Sequence, residues 1–183
     1  MGSGKAGSVS FSAGEVIVYP SHGVGKVAGI EEQEVAGMKL ELLVLTFERE
    51  RMTIRLPKGK VPGSGLRHVM DAATAGKVLD LLGGKAKKSR DLWARRSQVY
   101  DAKLVSGDPM VLAEVVRDLW RPADAEPASH SERTIYDNAI ARLASELALS
   151  LDKSETEAVA LAEGRMAARK GGAKDDEAER AAA

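Results

Sequence analysis

A tryptophan set among positive charges is the most chemically pointed feature of the sequence. Trp93-Ala94-Arg95-Arg96 follows Lys87, Lys88 and Arg90, and between Lys85 and Lys103 seven Lys/Arg residues stand against Asp91 and Asp101. Guanidinium and ammonium groups bind phosphates without reading base sequence. A flat indole can enter a minor groove or stack where bases have begun to part. On a helix, Arg96 and Tyr100 would follow Trp93 by about one and two turns and share its stripe. Such a combination suits a junction between duplex and melted DNA. The same spacing also fits an indole packed inside a bundle with the charges in solvent around it, and the residues alone leave both open. Trp120 differs, because it ends a run of apolar residues at helical spacing and reads as core.

A second candidate is Met52-Thr53-Ile54-Arg55-Leu56-Pro57. As an exposed edge strand it would offer unpaired N–H and C=O groups to another protein's sheet. Arg55 would add a forked donor of the kind favoured at interfaces. The alternative is a closed barrel with Arg55 in solvent. Catalysis finds little support. His22, His68 and His130 are scattered among turn-like segments without metal-ligand spacing, and Ser21-His22 reads as a solvated turn. The sequence holds no HExxH, Gly-rich phosphate loop or nucleophile elbow. A non-enzymatic protein without cofactor or metal is expected.

Composition sets the frame for both candidates. The 183 residues allow two small domains, and 44% AVILMFWYC with only 4% aromatic means cores built mainly on Val, Leu, Ile and Ala. With no cysteine, disulfide and thiolate chemistry are excluded and a reducing, cytoplasmic interior is expected. No apolar run approaches the roughly 18 residues of a membrane span. The formal net charge of zero conceals an uneven distribution: +2 over residues 1–70, +4 over 71–107 and −6 over 108–183. Local potential, screened over about 10 Å at moderate salt, matters more at a contact than the total does.

The elements that must position these residues change character near residue 70. From Gly14 to about Arg55 the apolar period is close to two. Val16 to Val18 forms one strand, Tyr19 to Gly23 a turn, and Gly23 to Glu34 a second strand. Ala36-Gly37 is a hairpin turn, Leu40 to Phe47 a third strand, Glu48-Arg49-Glu50 a reversal, and Met52 to Leu56 a fourth strand closed by Pro57. Short antiparallel strands at this spacing predict a small Tudor- or SH3-like barrel over residues 11–70, exiting through Pro57 to Gly65. Beyond it the period is helical, and an all-α bundle of about five helices is expected over 71–170, making the whole an α+β chain. Helices are predicted over 72–82, 90–105 with Ser89 as N-cap, from Asp108-Pro109 to Trp120, from a Ser129/Glu132 capping box onward, and from Ser154/Glu157 to about Lys170. Residues 1–10 and 171–183 are expected to be disordered.

In its ordered set of short motifs the sequence resembles the CarD family of bacterial transcription regulators. The matching stretches are Gly14-Glu15-Val16-Ile17-Val18-Tyr19-Pro20, His22-Gly23-Val24-Gly25, Met52 to Pro57, Gly65-Leu66-Arg67, Trp93-Ala94-Arg95-Arg96, Ala113 to Trp120, and Ser131-Glu132-Arg133. They keep the family's order across residues 11–165. The resemblance implies that residues 11–70 form the RNA polymerase-interacting domain shared with the transcription-repair coupling factor. Its edge would pair with the polymerase β subunit through Met52, Thr53, Ile54, Arg55 and Pro57. The helical domain would lie over the upstream edge of the promoter bubble. Trp93 would be the wedge in the minor groove, with Arg95, Arg96, Lys88 and Arg90 on the DNA backbone. A monomer that stabilises the open complex without sequence-specific readout, held at the nucleoid through polymerase, is what the resemblance leads one to expect. Ser97-Gln98 stands where an aromatic and a basic residue are common in the family.

Overall fold

The computed structural model describes residues 10–87 and 89–169. The segments expected to be disordered therefore lie outside the described residues, Ser10 apart, and so does Lys88. The chain divides into two compact units between Val69 and Met70.

The first unit is an antiparallel sheet of β1 (Val16–Tyr19), β2 (Gly23–Val35), β3 (Met38–Phe47), β4 (Met52–Pro57) and β5 (Arg67–His68), ordered β4-β3-β2-β1-β5. This is the small antiparallel β-domain expected over residues 11–70, and its sheet is open rather than closed into a ring. After β4 the Gly/Pro-rich segment winds into a 3-10 helix, Lys58–Gly63, and sends Val61 into the core. Only the two residues of β5 then return to the sheet, against β1. Too little strand is left to close a ring.

Local rules account for the turns. Ala36 and Gly37 both take positive φ, 52° and 77°, the geometry whose twist matches a two-residue hairpin. At the β1–β2 turn the His22 N–H donates to the Tyr19 carbonyl at 3.1 Å, and Gly23 has φ 75°. Gly25 has a packing reason. A Cβ there would lie 2.6 Å from Phe47 Cε1 and 2.9 Å from the Thr46 carbonyl oxygen, so the bare backbone makes room for the Phe47 ring. Phe47 joins Phe11, Ile17, Val27, Leu43, Leu45, Leu56, Val61 and Leu66 in one apolar cluster. Between Val27 and Gly29 the β2–β3 register shifts by a bulge. Beyond Ile30 the hairpin runs out from the core, with Glu31 to Glu41 all exposed.

The second unit packs five helices: α1 (Ala72–Leu82), α2 (Trp93–Leu104), α3 (Pro109–Leu119), α4 (His130–Leu151) and α5 (Glu155–Ala167). Most start where side-chain chemistry says they should. Asp71 accepts the Thr74 N–H, Asp108 accepts the Met110 N–H ahead of Pro109, and Ser129/Glu132 and Ser154/Glu157 form complete capping boxes. Each such cap is worth about 1 kcal/mol. Two boundaries differ from the sequence reading: α5 stops at Ala167 rather than near Lys170, and Ser89 does not cap α2. The Ser89 hydroxyl instead accepts the Asp91 N–H at 3.1 Å and donates to the Asp91 carboxylate at 2.8 Å. A Ser satisfied by its own neighbours makes a local turn rather than a cap, and the helix begins three residues later than expected.

The bundle core is apolar. Val78, Leu82, Val115, Val116, Leu143, Leu147 and Met166 are almost fully buried, each contributing roughly 1.5–3 kcal/mol by leaving water. Ala139, Ala144, Ala158 and Ala162 are buried with them, and such small side chains let neighbouring helices approach closely. One buried carboxylate, Glu146 on α4, accepts the Met70 N–H at 2.8 Å and fixes the start of the unit to the bundle.

Candidate functional site

Strand β4 is the end of its sheet, with β3 on one side and no further strand on the other among the described residues. Alternation assigns its side chains. Ile54 and Leu56, cross-strand from Leu45 and Leu43, pack on the core, whereas Thr53 and Arg55 are exposed on the opposite face. Met52 and Pro57 are partly buried at the two ends. Arg55 Nε donates to the Glu31 carboxylate across the sheet at 2.9 Å, and both side chains remain about half exposed, 49% and 46%. Exposed pairs of this kind hold little free energy. Lys58 pairs with Glu41 on the same margin, at 2.9 Å.

In the second unit the expected stripe forms on α2. The helix starts at Trp93 after Leu92, which has an extended backbone and gives no side-chain cap. The Arg95 and Arg96 N–H groups donate to the Leu92 carbonyl at 3.0 and 3.1 Å. Trp93 is partly buried against the bundle core, and its ring centre lies 6.3 Å from that of buried Tyr100. The Arg96 guanidinium carbon sits 5.4 Å from the Trp93 centroid and 5.9 Å from that of Tyr100. One side of the indole rests on the bundle, and the ring is not sealed within it.

The charges divide into two groups. Arg90 and Arg95 are exposed. Arg96 is only 22% exposed and lies 3.9 Å from Glu132 at the start of α4. Farther along α2, Lys103 pairs with Glu114 at 2.7 Å, and Lys103 holds the Glu114 carboxyl below its ordinary pKa. Lys88 is outside the described residues. The remaining sequence leads resolve as structure. His22 Nδ1 meets the Glu50 carboxylate and its ring stacks on Tyr19, His68 meets Glu15, and the described residues hold no group of three or more metal-ligating side chains. Trp120 caps the end of α3, partly buried against the core, with the Arg169 guanidinium 5.1 Å over its ring.

Three residues near the indole were not foreseen. Glu132 and Arg121 come from a distant part of the chain; Glu132 carried a capping signal and lay in the Ser131-Glu132-Arg133 stretch of the resemblance, and neither tells which neighbours its carboxylate will hold. Leu92, 84% exposed, stands where a polar N-cap is usual, and an apolar residue at that place beside Trp93 was the available clue.

The first unit thus offers an accessible sheet edge, and the helical unit carries an indole among cations. Comparison with known proteins gives the family. Residues 11–70 match the CarD-like/TRCF RID domain and residues 77–163 match the CarD C-terminal domain. The chain is 32% identical over 137 residues to the putative transcription factor YdeB of Bacillus subtilis, covering 75% of this chain and 90% of that protein. Among solved structures it is similar to CdnLNt from Myxococcus xanthus, with 46% identity, 34% of this chain, 87% of that chain and a TM-score of 0.30. It is also similar to the 72-residue N-terminal domain of Myxococcus xanthus CarD, with 36% identity, 37% of this chain, 93% of that chain and a TM-score of 0.27. The chain belongs to the CarD family of transcription regulators.

Proposed function

We propose that the chain docks on the RNA polymerase β subunit through the β4 edge and stabilises the promoter open complex by contact between α2 and the upstream edge of the bubble. The observation that carries this reading is the half-seated indole of Trp93, held on one side by the bundle and bordered by exposed Arg90 and Arg95. Docking would raise the effective concentration of a weak DNA-binding helix at one place, so little intrinsic affinity is needed. If the indole binds melted promoter better than closed promoter, a differential of about 1.4 kcal/mol changes the ratio of open to closed complex tenfold. Backbone and groove-shape contacts of this kind do not select a base sequence.

A pair of variants tests the division of roles. Arg55→Glu puts a carboxylate beside Glu31 and removes the donor, and is expected to abolish capture of polymerase while the thermal unfolding of the chain changes little. Trp93→Ala is expected to keep polymerase binding and shorten the open-complex lifetime. The partial packing of Trp93 and the pairing of Arg96 with Glu132 favour a second reading, a protein adaptor on polymerase without DNA contact. That reading requires the lifetime to be the same with and without Trp93.

A further inference from the structure

Resting on the reading of Trp93 as a DNA contact, we propose that Arg96 is a positioning residue for the indole, locked by Glu132, and not a ligand of the DNA phosphates. Both rings lie within the roughly 6 Å over which a guanidinium is attracted to an aromatic face: Trp93 at 5.4 Å and Tyr100 at 5.9 Å. The Arg96 Nε is buried and makes no hydrogen bond among the described residues. The guanidinium thus stands beside two ring faces and, at 3.9 Å, a carboxylate, with Nε unable to reach a phosphate, whereas bidentate phosphate binding uses exposed donors.

The carboxylate is itself tied by other partners. Glu132 is 13% exposed. One of its oxygens accepts the Ser129 N–H at 3.2 Å in the capping box of α4, and Arg121 Nη2 reaches both oxygens, at 3.2 and 3.3 Å. A side chain tied at its helix start and shared between two guanidinium groups cannot follow Arg96 out toward a ligand. It also places a negative charge behind Arg96, which offsets the attraction Arg96 would exert on a phosphate. The proposed chain is mechanical: α4 orients Glu132, Glu132 draws Arg96 by charge at 3.9 Å, and Arg96 restricts the rotamer of Trp93. Arg95, one residue earlier and exposed, is the phosphate contact of the pair.

Full-length chain, polymerase and a promoter fragment test this by open-complex lifetime at several salt concentrations, with Trp93→Ala as reference. Glu132→Gln keeps the capping box, since Gln serves at that position, and releases Arg96. Positioning predicts a lifetime shortened roughly three- to tenfold, the scale of a cation–π contact. Phosphate binding by Arg96 predicts a longer lifetime, because an acid near the DNA is removed. Arg96→Ala is expected to shorten the lifetime with the salt slope unchanged, while Arg95→Ala lowers the slope by about 0.9 per lost phosphate contact. In a Trp120→Phe chain, where Trp93 is the remaining indole, Glu132→Gln is expected to shift the Trp93 emission without DNA present. A lengthened lifetime for Glu132→Gln, a lowered slope for Arg96→Ala, or an unshifted emission would each overturn the positioning role. A lifetime indifferent to Trp93→Ala would instead remove the underlying reading.

Discussion

At Arg55, Gly25 and Trp93 the same physical question returns: what does the side chain give up in order to stand where it does? Arg55 gives up little, because its ion pair with Glu31 is half in water and such pairs contribute at most about 1 kcal/mol. It is available to a partner. Gly25 is the reverse. Its missing side chain is what lets Phe47 enter the core, with a Cβ only 2.6 Å from Cε1 and 2.9 Å from a backbone oxygen. Gly25→Ala is therefore expected to destabilise the first unit by roughly 1–3 kcal/mol, the usual range for overpacking. Denaturant unfolding checks this, and a midpoint equal to that of the parent chain would show that the strand yields freely. Trp93 lies between these cases, packed on one side and reachable on the other.

Helices and strands repeat that contrast between local rules and tertiary context. The starts of α3, α4 and α5 were legible in Asp108-Pro109, Ser129-to-Glu132 and Ser154-to-Glu157 spacing, because capping is a contest decided within four residues. The start of α2 was misread at Ser89 because its hydroxyl had a nearer partner in Asp91. The strands and the Ala36-Gly37 turn followed from alternation and positive φ. Closure of the barrel did not, since it depends on whether the Pro57–Gly65 segment returns as strand or as helical turn, and no local period decides that. On the site, the stripe of Trp93, Arg96 and Tyr100 was visible at helical spacing. Its tether to Glu132 was not, because residues 36 apart meet only once α4 has packed. Ser129→Ala removes one half of the box that orients Glu132, and is expected to lower stability by about 1 kcal/mol. Thermal melts measure it, and a change under about 0.3 kcal/mol would mean that the Glu132 half suffices.

Taken whole, the proposed division of roles sets the β4 edge against α2, and the positive charge is concentrated around α2: +4 over residues 71–107 against −6 over 108–183. The helical unit also carries a predictable acid sensitivity. The Thr74 hydrogen bond holds Asp71 below its ordinary pKa of 3.8, while Lys103 and Ser154 hold Glu114 and Glu157 below 4.5. A depressed folded-state pKa stabilises the fold above the unfolded value and ceases to do so as pH falls through the folded one. The melting temperature is expected to decline as pH drops below about 4.5, and a profile level from about pH 6 to pH 3 would contradict these bonds.

The division of roles itself is tested most directly by the lifetime of promoter open complexes after a competitor challenge, at chain concentrations that saturate polymerase. The expected result is a lifetime for Trp93→Ala shortened toward that of polymerase alone, with its affinity for polymerase equal to that of the unsubstituted chain. An unchanged lifetime at equal polymerase affinity would contradict the assignment of α2 to DNA.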